Sequence, residues 1–165
     1  MPIEIGILKL IHILCLVYWL GADLGVFYSS YYLVNEKLSR DTRINVSKIL
    51  FFLDQAPRIS MILIFPSGIH LAKSLGYINI SYSMVISIWL IAISWLILVC
   101  VLHIKGHAVK KLALFDYWLR IMFVLGMSYV FLNIVINQPE YIWAGKKILA
   151  FTITVICGLI IRKKL

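Results

Sequence analysis

The sequence predicts an all-α fold, an integral membrane bundle of five transmembrane helices. Three observations carry that expectation. Of the 165 residues, 62% are hydrophobic and only 14% are charged, whereas soluble domains carry about 25% charged residues. The mean hydropathy is +0.97. Five apolar runs, at residues 3–33, 49–75, 83–104, 117–136 and 141–161, each reach the roughly 20 residues that cross a bilayer core. The connecting stretches leave no room for a second domain, so residues 1–165 read as one transmembrane helical domain.

The first run opens Met1-Pro2-Ile3-Glu4 without the basic stretch of a cleaved signal, so it is expected to stay in the mature protein. Val34–Lys48 is charged and reads as a helical extension or an interfacial turn. The second run is entered through Asp54 and Arg58 and ends at Gly76-Tyr77-Ile78-Asn79, a turn sequence. After the third run, Lys105–Phe115 reads as a short basic amphipathic piece at the membrane surface. The fourth is entered through Asp116 and Arg120 and ends at Asn137-Gln138-Pro139, where proline suits the first turn of the last helix. Asp54-x3-Arg58-Ile59 and Asp116-x3-Arg120-Ile121 form a weak internal echo. Tyr28, Tyr31, Tyr32, Tyr77, Tyr82, Trp118, Tyr141 and Trp143 fall near run ends, where interfacial aromatics belong. Trp19, Trp89 and Trp95 lie deeper and are expected to pack the core.

Basic residues are distributed unevenly between the two sides. With the N-terminal side called A, side B receives Lys37, Arg40, Arg43, Lys48, Lys105, Lys110, Lys111, Arg162, Lys163 and Lys164, with Arg58 and Arg120 just inside. Side A has Lys9, Lys73, Lys146 and Lys147. The positive-inside rule then makes B cytoplasmic, so the expected location is a bacterial-type inner membrane with the N-terminus out and the C-terminus in. This asymmetry also accounts for the formal net charge of +9 without nucleic acid, which would need a soluble basic domain.

His12 and His70 are the first candidate site. They lie in consecutive, antiparallel runs, at about six and four residues from side A, a difference of about 3 Å in depth. An imidazole in hydrocarbon needs a partner, and a haem iron held between two axial histidines would be one. The plain alternative is a hydrogen bond from each ring to backbone or to a tyrosine. Lys146 and Lys147, in the first two turns of the last run, could meet haem propionates at the same end. Being adjacent on a helix, they cannot share a face, so one is expected to point into the bundle. Lys9 and Lys73 fit snorkelling better.

Asp23, Arg58 and Arg120 share a level about 16 or 17 residues from side A, and charges at one level in lipid are expected to pair. A contact of Asp23 with Arg58 or Arg120 is the expectation, read as a structural clamp in preference to a proton relay because arginine stays charged. Asp54 with Arg58 and Asp116 with Arg120 are also i,i+4 pairs with the acid first, the favourable order. His103 and His107 are i,i+4 near side B and more ordinary as solvated residues than as a metal pair. Cys15, Cys100 and Cys157 are isolated, and no Cys-x-x-Cys-His is present, so any haem would be non-covalent.

The segment Leu10-Ile11-His12-Ile13-Leu14 with Trp19-x-Gly21, a charged loop, and the closing Trp143-x2-Lys146-Lys147-Ile148-Leu149 resemble two groups of small haem-binding bacterial membrane proteins. These are the HemJ-type protoporphyrinogen oxidases and the CopD-like copper-resistance domains. The resemblance implies a compact helical bundle, haem b and His12 as ligand. It lacks the fuller set of polar residues of the HemJ type, and the Pro-Pro-Gly and dense tryptophan pattern of translocator proteins is missing. Three readings stand. The first is a haem b protein of electron transfer or porphyrin oxidation, a membrane oxidoreductase whose partner is a quinone, a porphyrin or a redox protein. The second is a copper-handling protein using His12, Cys15 and Met61, a soft donor set. The third is a non-catalytic membrane subunit, with homo-oligomerisation left open in every case.

Overall fold

The computed structural model describes residues 3–105 and 110–164. Among them every regular element is helical: α1 (Ile3–Val34), α2 (Arg40–Leu53), α3 (Gln55–Ser74), α4 (Tyr82–Lys105), α5 (Lys110–Asn137) and α6 (Ile142–Lys164), with a single 3-10 turn at Pro139–Tyr141. Five stretches are long and apolar enough to cross a membrane, α2 and α3 counting together as one of 35 residues. The chain is a multi-pass membrane protein.

Two helix boundaries differ from those expected. The second run is already helical from Arg40, where the Ser39 hydroxyl caps the Thr42 amide, and it breaks only at Asp54. Pro57 explains the break, because it has no N–H to give the Leu53 carbonyl and its ring crowds that oxygen. The fourth helix starts at Lys110, so much of the expected basic surface piece is its first turns. The α3 end follows its sequence. Gly76 takes φ +78°, the Gly76 amide donates to the Lys73 carbonyl and the Tyr77 amide to the Ala72 carbonyl, a Schellman closure.

The chain divides into two compact units, residues 1–104 and 105–165. In the first, α1 runs antiparallel to α2 and α3 at a nearly constant register. The facing pairs are Glu4 with His70, His12 with Ser67, Gly25 with Leu53 and Leu33 with Arg43. Residue numbers in each pair add to roughly the same value, about 76, which is what two straight antiparallel helices give. Leu8, Cys15 and Trp19 supply the buried stripe of α1, and Ser60, Met61, Ile64 and Ser67 that of α3. α4 runs antiparallel to α2 and α3 and meets them through long side chains: Lys73 lies 4.2 Å from the Tyr82 ring centroid, Gln55 donates to the Cys100 sulfur, and His103 stacks on Phe51 of α2 at 4.3 Å and 11°. Lys73 also donates to the Ile80 carbonyl, so it ties down the α3–α4 turn instead of snorkelling.

The second unit is the α5–α6 hairpin. Gly145 lets α6 approach α5 closely, since a Cβ there would sit 3.2 Å from Ile134 Cγ2. Phe123 and Phe151 meet edge to face at 5.7 Å, and Thr152 and Val155 are buried. Asp116 and Arg120 form an ion pair at 3.1 Å with side chains only 2% and 12% exposed. Removing one member of such a pair takes from a buried charge its ion-pair partner. Asp116→Asn is therefore expected to cost about 3–5 kcal/mol, and Asp116→Asn with Arg120→Met distinctly less. Thermal unfolding in detergent checks both, and equal losses would sink the account.

Candidate functional site

The α1–α3 seam carries a polar contact between the two helices. Its centre is His12. The Ser67 hydroxyl, fully buried, lies 2.8 Å from the Leu63 carbonyl, 3.0 Å from that of Ile64 and 3.1 Å from His12 Nδ1. A hydroxyl has one proton and a carbonyl can only accept, so that proton goes to the α3 backbone. The Ser67 oxygen consequently accepts from His12 Nδ1–H. Nε2 is then the nitrogen with the lone pair, the tautomer a metal-ligating histidine uses when its other nitrogen is anchored. Gly68 permits this, because a Cβ at that position would stand 3.0 Å from His12 Cε1.

His70 is engaged elsewhere. Its Nε2 lies 3.9 Å from Glu4 Oε1. His12 lies beside Ser67 and Gly68, two or three residues before His70 on α3, so the two histidines differ in level by about 3–4.5 Å. One haem between His12 and His70 would need α1 and α3 parted by the width of a porphyrin, and the His12–Gly68 approach leaves none. The donor set fits one axial ligand, His12, and not a two-histidine sandwich between these helices.

Lys146 and Lys147 belong to the second unit, where both are exposed, so neither points into the hairpin as expected; Lys147 lies 5.1 Å from the Trp143 ring centroid. Small helix ends with two adjacent lysines on an unburied arc allow this without cost. His103 is not a solvated residue, since it stacks on Phe51. His107 lies outside the described residues. Among the described residues no three His, Cys, Asp or Glu side chains gather as a metal site. Cys15 is buried one turn beyond His12 and, with Ser60, borders an open apolar groove of about 330 Å³ that also includes Ile11, Leu14 and Ile59. Met61 is buried on α3.

The polar level toward side B is built differently from the expectation. Arg58 pairs with Asp54, its own i,i+4 acid, and Arg120 with Asp116 inside the second unit. Asp23 makes no ion pair with Arg58. Its carboxylate accepts from the Trp19 indole N–H one turn earlier, and its charged neighbour is the Asp54 carboxylate. Local i,i+4 pairing won because it needs no second helix to hold a long side chain in place. The Trp19–Asp23 spacing was there to be read as i,i+4. Ser67 had a signal too, in the small-residue run Ser67-Gly68 after Pro66.

No family model, curated protein or solved structure matches the chain.

Because Arg58 keeps Asp54, Asp23→Asn removes only a carboxylate beside another carboxylate. Its expected effect on thermal stability in detergent is within about 1 kcal/mol, of either sign. A loss of about 3 kcal/mol or more would restore the clamp reading.

Proposed function

We propose that the chain is a haem b-binding multi-pass membrane protein in which His12 is the protein ligand to the iron, serving electron transfer or porphyrin oxidation. One observation carries the reading: Ser67, its own proton committed to the α3 backbone, fixes His12 with Nε2 as the lone-pair nitrogen. Haem when bound supplies the one-electron chemistry. The chain's own contribution is to orient the imidazole and fix its tautomer through the Nδ1–H bond. The resemblance of the first helix to HemJ-type and CopD-like proteins points the same way. His70, paired with Glu4, is not a ligand in this proposal.

The orientation proposed is N-terminus out and C-terminus cytoplasmic, on the twelve basic residues of side B against four on side A. A copper-handling reading draws on His12 and Cys15, one turn apart on the stripe that faces α3.

Protein purified in detergent from haem-replete cells is expected to show a Soret band. His12→Ala should abolish it and His70→Ala should keep it. A colourless wild-type protein, or a band that His12→Ala leaves unchanged, overturns the proposal; copper in the same preparation without haem supports the second reading. A C-terminal reporter is expected to be active only when it is a cytoplasmic one, and the reverse result overturns the orientation.

A further inference from the structure

The open groove between α1 and α3 holds a polar group that the haem reading does not use. Its volume is about 330 Å³, with Leu14 and Cys15 on the α1 side and Ala56, Ile59, Ser60 and Leu63 on the α3 side. Ser60 is only 6% exposed, and that exposure opens into the groove it lines. Ser67, Ser87 and Ser94 each give the hydroxyl proton to the carbonyl four residues back. Among the described residues the Ser60 hydroxyl has no hydrogen-bond partner, so its proton is left to the groove.

Depth decides what can answer that proton. Along the 35-residue stretch Arg40–Ser74, Ser60 lies about 30 Å of helix rise from one end and about 21 Å from the other. It is therefore inside the hydrocarbon core of roughly 30 Å, out of reach of water and headgroups. A hydroxyl without an acceptor is costly there. Acyl chains offer it none. The ester carbonyls, sterol hydroxyls and carboxylates of lipids are held at the interface by their own need for water.

We propose that this groove binds a bilayer-soluble quinone, one ring carbonyl accepting from the Ser60 hydroxyl. A quinone ring is flat, carries its acceptor in its own plane and has no group that must reach water. A volume of about 330 Å³ is at the small end of ligand pockets and gives room for one substituted ring. An isoprenoid tail leaves through the open side into the acyl chains. Apolar walls with a single placed polar group are how sites for such molecules are built. Cys15, on the groove wall, is one turn beyond His12. A partnership of the quinone with haem rests on the proposed function, whereas its binding rests on Ser60 and the groove alone.

The test is equilibrium dialysis of the full chain in detergent against duroquinone, with protein-free micelles as the blank and haem content measured on the same preparation. Every ring carbon of this probe is substituted, which suppresses addition of the Cys15 thiol. Durene has the same shape without the carbonyls. Duroquinone is expected to bind saturably and durene several times more weakly. Ser60→Ala, which removes only the hydroxyl, should weaken duroquinone binding about three- to tenfold and leave durene unchanged. Ala56→Leu fills the groove and should abolish binding of the quinone. Ser94→Ala, on the exposed side of α4, should change nothing. Equal binding of the two probes, a Ser60→Ala protein that binds duroquinone as before, or binding that survives Ala56→Leu overturns the site. Quinone binding without haem removes the proposed function and keeps the site, and haem without quinone binding does the reverse.

Discussion

The close antiparallel contact of α1 with α3 is the constraint on which the first unit depends. Inside a bilayer the hydrophobic effect does not press one apolar helix against another, because lipid chains offer the same apolar surroundings. Helices associate through tight packing at small residues and through hydrogen bonds between them. Here Ser60, Ser67 and Gly68 on α3, and Gly25 on α1, are those small residues, and the His12–Ser67 bond is the inter-helical link. Once Gly68 lies under His12, the register is set along the whole hairpin. Glu4 must then meet His70, and Arg43 must reach Leu33 at the other end.

Ser67 draws its importance from backbone chemistry next to it. Pro66 has no N–H, so one carbonyl of the preceding turn loses its usual donor, and the buried segment carries a local excess of acceptors. That carbonyl is Ile62's; the Ser67 hydroxyl turns back to its own helix one residue further on, toward Leu63 and Ile64. Its oxygen is left as an acceptor in a place without water, where an unmade hydrogen bond costs about 1–3 kcal/mol. His12 meets that need. The imidazole is consequently held in one orientation and one tautomer by the Ser67 hydroxyl, whose proton the α3 backbone takes.

The spans were legible because twenty apolar residues in a row have few other uses, and the α3 closure was legible because Gly76 is where a left-handed residue fits. The α2–α3 break at Asp54 was signalled by Pro57, which was passed over because the apolar run continues through it. Run ends give a level only to within a turn, since a helix enters and leaves lipid over several residues and each of them moves the count by about 1.5 Å. Pairing across helices was overestimated for Asp23 for a related reason. Equal depth places two groups in one plane without aiming them at one another, whereas i,i+4 spacing does aim them.

The echo of Asp54-x3-Arg58 in Asp116-x3-Arg120 shows what the sequence leaves undecided even when a motif is read correctly. Both form the same i,i+4 ion pair. In α3 the side chains are 37% and 43% exposed for the acid and the base, at the level where the hairpin leaves the core, and a pair so placed contributes at most about 1 kcal/mol. In α5 they are 2% and 12% exposed, so the pair is shielded from water and from the screening that weakens the other. Asp54 lies at the junction of α2 and α3, whereas Asp116 sits within the continuous helix α5. Identical spacing thus gives a half-exposed pair in one unit and a buried pair in the other, and it is the packing around the aspartate, not the spacing, that separates the two.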